Sequence, residues 1–245
     1  MTIRVAMWSG PRNLSTAMMR SFGSRADTFV SDEPFYGAFL KETGADHPMR
    51  EEVIAAMDCD WRSVMSSLRG EPPDGSPIWY QKHMWHHMAG PIGYDDFSGF
   101  THAFLIRQPE RMIASYLGKR ETAEFEGFGL DRQAEFFDRE ADRLGHAPPV
   151  IDAHDVLTDP QNVLAKLCGA LDIEWDMAML SWRPGRRDTD GPWAPHWYGA
   201  VEASTGFGPP ETGEIALPDD ARRLADRCRP YYERLAAARI RPEPA

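Results

Sequence analysis

Cysteine is scarce in this sequence, and long apolar runs are missing. The three cysteines in 245 residues lie far apart and form no CxxC pair, which excludes a disulfide framework and favours a reducing compartment. No stretch approaches the roughly 20 apolar residues that a membrane-spanning helix needs, and the first residues lead directly into a predicted strand. We therefore expect a cytoplasmic protein with no membrane partner.

Positive charge is also in short supply. The chain has 27 lysine and arginine residues against 38 aspartate and glutamate residues, which gives a formal net charge of −11. Proteins that bind nucleic acids need a basic surface, so this balance argues against a nucleic-acid partner. An anionic small molecule has to be held by a local group of positive side chains. The sequence leaves homodimer formation open.

The phosphate loop of nucleotide kinases is missing as well. That loop requires GxxxxGK[ST], whereas from Gly10 this chain reads GPRNLST, without the second glycine and the lysine. What is present is a short apolar run from Ile3 to Trp8, a Gly-Pro break, and capping side chains ahead of a helical pattern. A strand, a tight loop and a helix N-terminus in this order direct backbone N–H groups at an anion, and Arg12 adds a guanidinium.

Short apolar strands alternate with helical patterns along the rest of the chain. Strands are predicted at 28–31, 77–82, 102–107 and 149–152, and helices at 51–68, 130–144, 160–171 and 218–238. This alternation predicts an α/β fold: a mostly parallel central sheet with helices on both faces, a P-loop-like three-layer sandwich. We expect a single domain over residues 1–245, with a partly irregular segment, 182–217, capping the site.

Ligands of parallel sheets bind at the carboxyl ends of the strands. This rule places a mixed group of charged and titratable side chains on one rim of the predicted sheet. Its members follow four different strands: Arg12, Glu33, Lys82, His83, His86, His87 and Arg107.

A second informative stretch is FLIRQPERMIASYLGKR, from Phe104 to Arg120. Arg107 ends a predicted strand and Ser115 lies two turns into the following helix, so both side chains can reach one phosphate. This R-x-P-x-x-x-x-x-S-Y pattern resembles the sulfotransferase family. The loop PRNLST at 11–16 is similar to the family's 5′-phosphosulfate loop, and the D-V-L, D-P and L-C elements between 155 and 168 resemble its next conserved segment.

The resemblance implies transfer of a sulfuryl group from 3′-phosphoadenosine 5′-phosphosulfate to a hydroxyl or amine of a small-molecule acceptor, without a metal. Arg107 and Ser115 correspond to the residues that hold the 3′-phosphate of this donor. Lys82 corresponds to the lysine that bridges the sulfuryl oxygens. The loop residues implied to hold the 5′-phosphosulfate, and the polar run that stands where family members have a basic clamp, are Arg12, Asn13, Leu14, Ser15, Thr16, Ser204, Thr205 and Gly206.

The acceptor needs a base, and the sequence leaves two candidates open. Cytosolic members of the family use a histidine two residues after the matching lysine, and this chain has Met84 there, flanked by His83, His86 and His87. Other branches use a glutamate after the second strand, which matches Glu33. Histidine has the more suitable unperturbed pKa, whereas the glutamate has the better motif position.

Two departures from the family pattern support an alternative function. Asn13-Leu14 replaces the usual Ser-Gly of the loop, and Ala153 replaces an aromatic residue that often packs on adenine. A fold that is retained while catalysis is lost would give a binding or regulatory module.

Two further alternatives are weaker. A nucleotide kinase needs a strand-end carboxylate for Mg²⁺, and this chain has Arg107 at the end of a strand where such a carboxylate is sought. A zinc site at the three neighbouring histidines lacks an identifiable further ligand.

Overall fold

A five-stranded parallel sheet lies at the centre of the computed structural model, which describes residues 2–120 and 122–243. Residues 1, 121, 244 and 245 of the predicted domain lie outside the described residues. The strands are β1 (Ile3–Ser9), β2 (Thr28–Asp32), β3 (Ile78–Met84), β4 (Thr101–Ile106) and β5 (Val150–Asp152).

The strand order, β2-β3-β1-β4-β5, puts the first strand in the middle of the sheet. Strand β1 pairs in parallel with β3 on one side and with β4 on the other, so the carboxyl ends of all strands meet at one edge. In this register Met7 and Asp32 flank Lys82 from the two neighbouring strands. Every residue of β3 is buried, as expected of a parallel strand covered on both faces.

Helices connect and cover the strands. In chain order they are α1 (Ser15–Phe22), α2 (Tyr36–Thr43), α3 (Arg50–Ala56), α4 (Trp61–Arg69), α5 (Pro109–Leu117), α6 (Leu130–Leu144), α7 (Ala153–Thr158), α8 (Pro160–Ala170), α9 (Ala194–Trp197), α10 (Gly199–Glu202) and α11 (Asp219–Ala236), with 3-10 turns at Trp85–His87, Tyr94–Phe97 and Met177–Leu180. Within the described ranges, no helix combines the length and the apolarity needed to cross a bilayer.

The helices pack on opposite faces of the sheet. Phe22 of α1 stacks on Tyr80 with ring centroids 4.3 Å apart. Trp8 packs edge-on against Phe136 of α6 at 5.5 Å, on the other face. The predicted α/β sandwich, with a parallel sheet between two helical layers, is confirmed.

The element boundaries follow the predictions with one clear error. Helix α6 has the predicted bounds, and all predicted strands are present. The single helix predicted at 51–68 is wrong, because the chain forms α3 and α4 there. The break arises at Asp60, whose side chain accepts a hydrogen bond from the Ser63 N–H at 2.8 Å and so starts a new helix. Helix α2, directly after β2, was not predicted.

The irregular segment 182–217 is tied to the sheet edge by buried polar contacts. Asp190 forms a two-point ion pair with Arg20 of α1, and both side chains are buried. The next residue, Gly191, donates its N–H to the Asp32 carboxylate at 3.0 Å. These contacts hold the segment over the carboxyl ends of the strands.

Candidate active site

Two cavities adjoin at the carboxyl edge of the sheet, above the β1–α1 loop. One has a volume of about 90 Å³ and includes Glu33 and Lys82 in its walls; we call it the Glu33 cavity. The other has a volume of about 370 Å³ and includes Arg107 and Ser115; we call it the Arg107 cavity. The residues that line both are Arg12, Ser15, Thr16, Trp197 and Tyr198.

The β1–α1 loop has an unusual backbone. Arg12 and Leu14 have φ angles of 62° and 71°, in the left-handed region. This conformation costs a residue other than glycine about 1–2 kcal/mol, and such strain is often found at binding sites. Helix α1 starts without a side-chain cap, and its first residues, Ser15, Thr16 and Ala17, line the Arg107 cavity. The first-turn amides of a helix favour an anion, which is the role predicted for this loop. Leu14, at the position where the resemblance predicts glycine, adopts the left-handed backbone conformation that glycine favours.

The predicted phosphate ligands converge in the Arg107 cavity. Arg12 Nε donates a hydrogen bond to Ser115 Oγ at 3.1 Å, although the two residues are far apart in sequence. The Arg107 guanidinium donates to the backbone carbonyl of Arg12 and pairs with the carboxylate of Glu211. Burial lowers the pKa of Arg12, and the adjacent Arg107 lowers it further. Two guanidinium groups and a hydroxyl therefore share one positively charged cavity wall.

Glu211 was not predicted, and nothing in the sequence pattern singles it out. Its carboxylate contacts Arg107 and lies 3.8 Å from Arg111 Nη1. The Glu211 side chain is 39% exposed, so it reaches these groups from the open side of the cavity. The Glu211 carboxylate thus already pairs with Arg107, the side chain that is predicted to bind an anionic ligand.

Some residues of the predicted donor site lie elsewhere. The Asn13 side chain is fully buried outside both cavities, and its polar atoms have no hydrogen-bond partner within the described chain. Ser204 and Gly206 line the Arg107 cavity, whereas Thr205 does not. The Ser204 hydroxyl already donates to the Val201 carbonyl at 2.8 Å. The run 204–206 therefore contributes two residues to the wall of the Arg107 cavity, and the hydroxyl of Ser204 already donates its hydrogen bond within the protein.

A buried charged cluster forms the floor of the Glu33 cavity. Lys82 Nζ lies 2.9 Å from Asp32 Oδ1, 2.7 Å from Glu33 Oε1, 2.6 Å from the Tyr198 hydroxyl and 3.3 Å from Thr16 Oγ1. The Tyr198 hydroxyl donates in turn to Asp32 Oδ2 at 2.7 Å. One ammonium group is therefore shared between two carboxylates in a region with little water.

Burial and the neighbouring charges shift the pKa values of Glu33 and Lys82. Burial raises the pKa of Glu33 to about 7. The Lys82 ammonium lowers this pKa, but the effect of burial is larger, and the Asp32 carboxylate raises the pKa further. Burial alone lowers the pKa of Lys82, but Asp32 and Glu33 outweigh it and hold that pKa well above the usual lysine value. Glu33 also has a left-handed φ of 44°, a strained conformation for glutamate. A carboxylate that titrates near neutrality is suited to general base catalysis.

The three candidate histidines do not form one group. His83 lies on the other face of β3 from Lys82, stacked on Trp8 with centroids 4.6 Å apart, and lines neither cavity. His86 and His87 do line the Glu33 cavity, and His87 Nδ1 lies 3.6 Å from Glu33 Oε2. Alternation along a strand explains the placement of His83, and we remove it from the candidate bases and from the zinc alternative. Within residues 2–120 and 122–243, no group of His, Cys, Asp or Glu side chains is arranged to hold a metal ion.

Burial also makes these histidines weak bases. It lowers the pKa of His83 and of His86 to about 3, with further effects of His102 and His47 respectively. The pKa of His87 is also lowered well below its usual value, by burial first and by His86 next. At neutral pH their imidazoles are neutral. Glu33 is therefore the residue of this cavity whose titration matches the task of a base.

The cluster contains two residues that the sequence analysis missed. Asp32 directly precedes Glu33, so its position at the end of β2 was an available signal. Tyr198 lies in the irregular segment, where no periodicity marks it. Its hydroxyl contacts Lys82, Asp32 and Trp193 Nε1, the last at 3.0 Å, and the residue lines both cavities.

Comparisons with known proteins bear on the family and the fold of this chain. The family model described as "Sulfotransferase domain" matches residues 3–239. Two Arabidopsis thaliana proteins, named "Branched-chain-amino-acid aminotransferase-like protein 1" and "2", are 37% and 34% identical to the chain over 92% of its length. The chain spans only 40% of the length of each of these relatives.

Solved structures show the same fold. A sulfotransferase from Alicyclobacillus acidocaldarius matches with a TM-score of 0.56 and 16% identity, covering 97% of this chain and 95% of that one. The sulfotransferase domain from the curacin biosynthetic pathway matches with a TM-score of 0.50 and 15% identity, covering 93% and 97%. At this level of identity the likeness concerns the fold alone. The family model, however, covers nearly the whole sequence, and the chain accordingly belongs to the sulfotransferase domain family.

Proposed function

We propose that this chain transfers a sulfuryl group from 3′-phosphoadenosine 5′-phosphosulfate to a hydroxyl or amine of a small molecule. The observation that carries the proposal is that two chemically different cavities adjoin at the β1–α1 loop. The Arg107 cavity presents guanidinium groups and helix amides, whereas the Glu33 cavity presents a carboxylate that titrates near neutrality. A donor of two anionic ends suits the first cavity, and an acceptor that loses a proton suits the second.

The residues divide the reaction between them. Arg107 and Ser115 are assigned to the 3′-phosphate of the donor, and Arg12 with the first-turn amides of α1 to the 5′-phosphate that becomes the leaving group. Glu33 accepts the proton of the acceptor hydroxyl as its oxygen attacks sulfur. The bond from sulfur to the 5′-phosphate oxygen breaks, and its electron pair leaves with the product nucleotide, adenosine 3′,5′-bisphosphate (the 3′,5′-bisphosphate below). Lys82 lies beside Glu33 and Thr16, where it can stabilise the charge of the transferred group.

A binding or regulatory module is the second candidate, and two contacts favour it. Glu211 pairs with the arginine that the 3′-phosphate needs, and Lys82 is already surrounded by four polar partners. In such a module the nucleotide would bind without turnover. The names of the plant relatives refer to proteins of which this chain covers 40%, so they do not by themselves suggest amino transfer by this chain.

The test of the proposed function has two measurements. Calorimetry with the 3′,5′-bisphosphate should detect binding, and incubation with the sulfate-labelled donor and a panel of small phenols, alcohols and amines should yield a labelled product. Binding without any product would favour the module. Absence of both binding and turnover would refute the assignment of the Arg107 cavity to this nucleotide.

The pH dependence of turnover distinguishes the two kinds of base. With Glu33 as the base, kcat/KM should rise about tenfold per pH unit below a pKa of about 7, and level off above it, because only the ionised carboxylate accepts a proton. A histidine with a pKa of about 3, such as His86, would give a flat profile over this range. The measurement is the pH–rate profile from pH 5.5 to 9. Glu33→Gln should remove the rise, and a wild-type profile that is flat would exclude Glu33 as the base.

Removing the Glu211 carboxylate should strengthen nucleotide binding. In the free protein this carboxylate competes with an anionic ligand for Arg107, so Glu211→Gln is expected to tighten binding of the 3′,5′-bisphosphate by about three- to tenfold. Calorimetry measures the change. Glu214→Gln, an exposed glutamate three residues further on, is the matched control and should have no effect. Weaker binding by Glu211→Gln would mean that Glu211 supports the site instead of competing for it.

A further inference from the structure

The Glu33 cavity has a second charged end. Arg120 lies in its wall together with His47 and Tyr116, and it does not line the Arg107 cavity. Its guanidinium donates a hydrogen bond to the backbone carbonyl of Asp46 at 3.1 Å, which holds the side chain at the wall. The mechanism proposed above gives this arginine no role. A positive group therefore faces the acceptor space without contacting the donor space.

Tyr36 contacts residues at both ends of this cavity. Its backbone N–H donates to the Glu33 carbonyl at 2.9 Å, and its hydroxyl lies 2.9 Å from His47 Nδ1. The ring of Tyr36 stacks on His87, with centroids 4.2 Å apart, and so forms a flat wall. Tyr36 thus contacts the Glu33 backbone at one end of its residue and His47 at the other, and both Glu33 and His47 line the same cavity.

The charge of the far end is well defined. Burial lowers the pKa of His47 to about 4, and the nearby Arg120 lowers it further, so this imidazole is neutral at physiological pH. His86 beside it is also neutral, because burial lowers its pKa to about 3. Arg120 then contributes the positive charge of this end, and the neutral imidazoles contribute hydrogen-bonding nitrogens. Such a combination is suited to a carboxylate or a similar anion.

We propose that the acceptor is a small hydroxy compound that also has an anionic group, which binds away from the reacting hydroxyl. The hydroxyl lies at Glu33, the flat body packs between Tyr36 and Trp197, and the anion binds at Arg120 and His47. This inference rests on the proposed function, because it takes Glu33 as the reacting end. Arg120 is then a specificity-determining residue for the acceptor.

Three phenols of nearly equal size test the proposal: 4-hydroxyphenylacetate, uncharged 4-hydroxyphenylacetamide and cationic tyramine. Calorimetry in the presence of saturating 3′,5′-bisphosphate measures their binding directly, so the result does not depend on turnover. We expect the dissociation constant of 4-hydroxyphenylacetate to be at least about tenfold lower than that of either other phenol, which is the usual effect of a charged hydrogen-bonded pair. Arg120→Met should abolish this preference, whereas the control Lys119→Met, at the exposed preceding residue, should retain it.

The outcomes separate this inference from the proposed function. Equal affinities for the three phenols, a preference for tyramine, no detectable binding of 4-hydroxyphenylacetate, or a preference that persists in Arg120→Met would each overturn it. The bisphosphate should bind Arg120→Met as tightly as wild type, which shows that the variant is folded. If the wild-type chain does not bind the bisphosphate, the proposed function is lost; the same three titrations without nucleotide then still decide whether the cavity selects an anion.

Discussion

Lys82→Met is expected to lower the free energy of unfolding by about 3–5 kcal/mol, the range for removing one partner of a buried ion pair. The ammonium group lies between Asp32 and Glu33, and the Lys82 side chain is 1% exposed. Without it, the Asp32 carboxylate retains hydrogen bonds from Tyr198 and from the Gly191 N–H but loses its counter-charge. Urea unfolding followed by tryptophan fluorescence measures the difference.

Two further variants make this prediction specific. Lys166→Met, at a lysine whose side chain is 41% exposed, should change the stability by less than about 0.5 kcal/mol. Combining Lys82→Met with Asp32→Asn should recover part of the loss, because the uncompensated charge is then removed as well. A Lys82→Met protein within about 1 kcal/mol of wild type would show that the cluster is solvated and that its charges are not mutually dependent.

Arg107→Ala is expected to weaken binding of the 3′,5′-bisphosphate by about 2–5 kcal/mol, the cost of truncating one partner of a desolvated charge pair. Arg107 lines the Arg107 cavity and supports the loop through the backbone carbonyl of Arg12, so the substitution removes the proposed phosphate ligand and a loop contact. Calorimetry on the purified variant gives the dissociation constant.

The controls follow from the contacts of Arg107. Arg62→Ala, at an arginine whose side chain is 66% exposed and which lines neither cavity, should leave the dissociation constant unchanged. Glu211→Gln should strengthen binding in the wild-type background and have little effect in Arg107→Ala, since the two side chains are paired. An unchanged constant for Arg107→Ala would remove this residue from the nucleotide site, and Arg12 with the helix amides would have to bind the phosphates alone.

Much of the candidate site was accessible from local patterns. Arg12 and Glu33 follow predicted strands, and Lys82 and Arg107 end them. Parallel strands bring their carboxyl ends to one edge, so the proximity of these residues follows from the fold class. The same reasoning does not distinguish the two faces of a strand at its end. His83 was therefore grouped with Lys82, although alternation along β3 directs their side chains in opposite directions.

Other features depend on contacts that sequence spacing does not encode. Tyr198, Trp197 and Glu211 belong to a segment without helical or strand periodicity, and they reach the site because Asp190 and Gly191 tie that segment to the sheet. The pKa of Glu33 likewise depends on burial and on one lysine shared with a neighbouring carboxylate. A motif match identifies such a glutamate but does not reveal that it titrates near pH 7.

The sequence by itself determined the α/β architecture, the order of most elements and the strand, loop and helix arrangement around Arg12, because these follow from periodicity and chain breakers. Tertiary structure alone decided which side chains share a cavity, which histidines are excluded from it, and how charge is distributed within it. The reason is physical: local preferences specify elements, whereas burial and electrostatic coupling arise only between residues that the fold brings together.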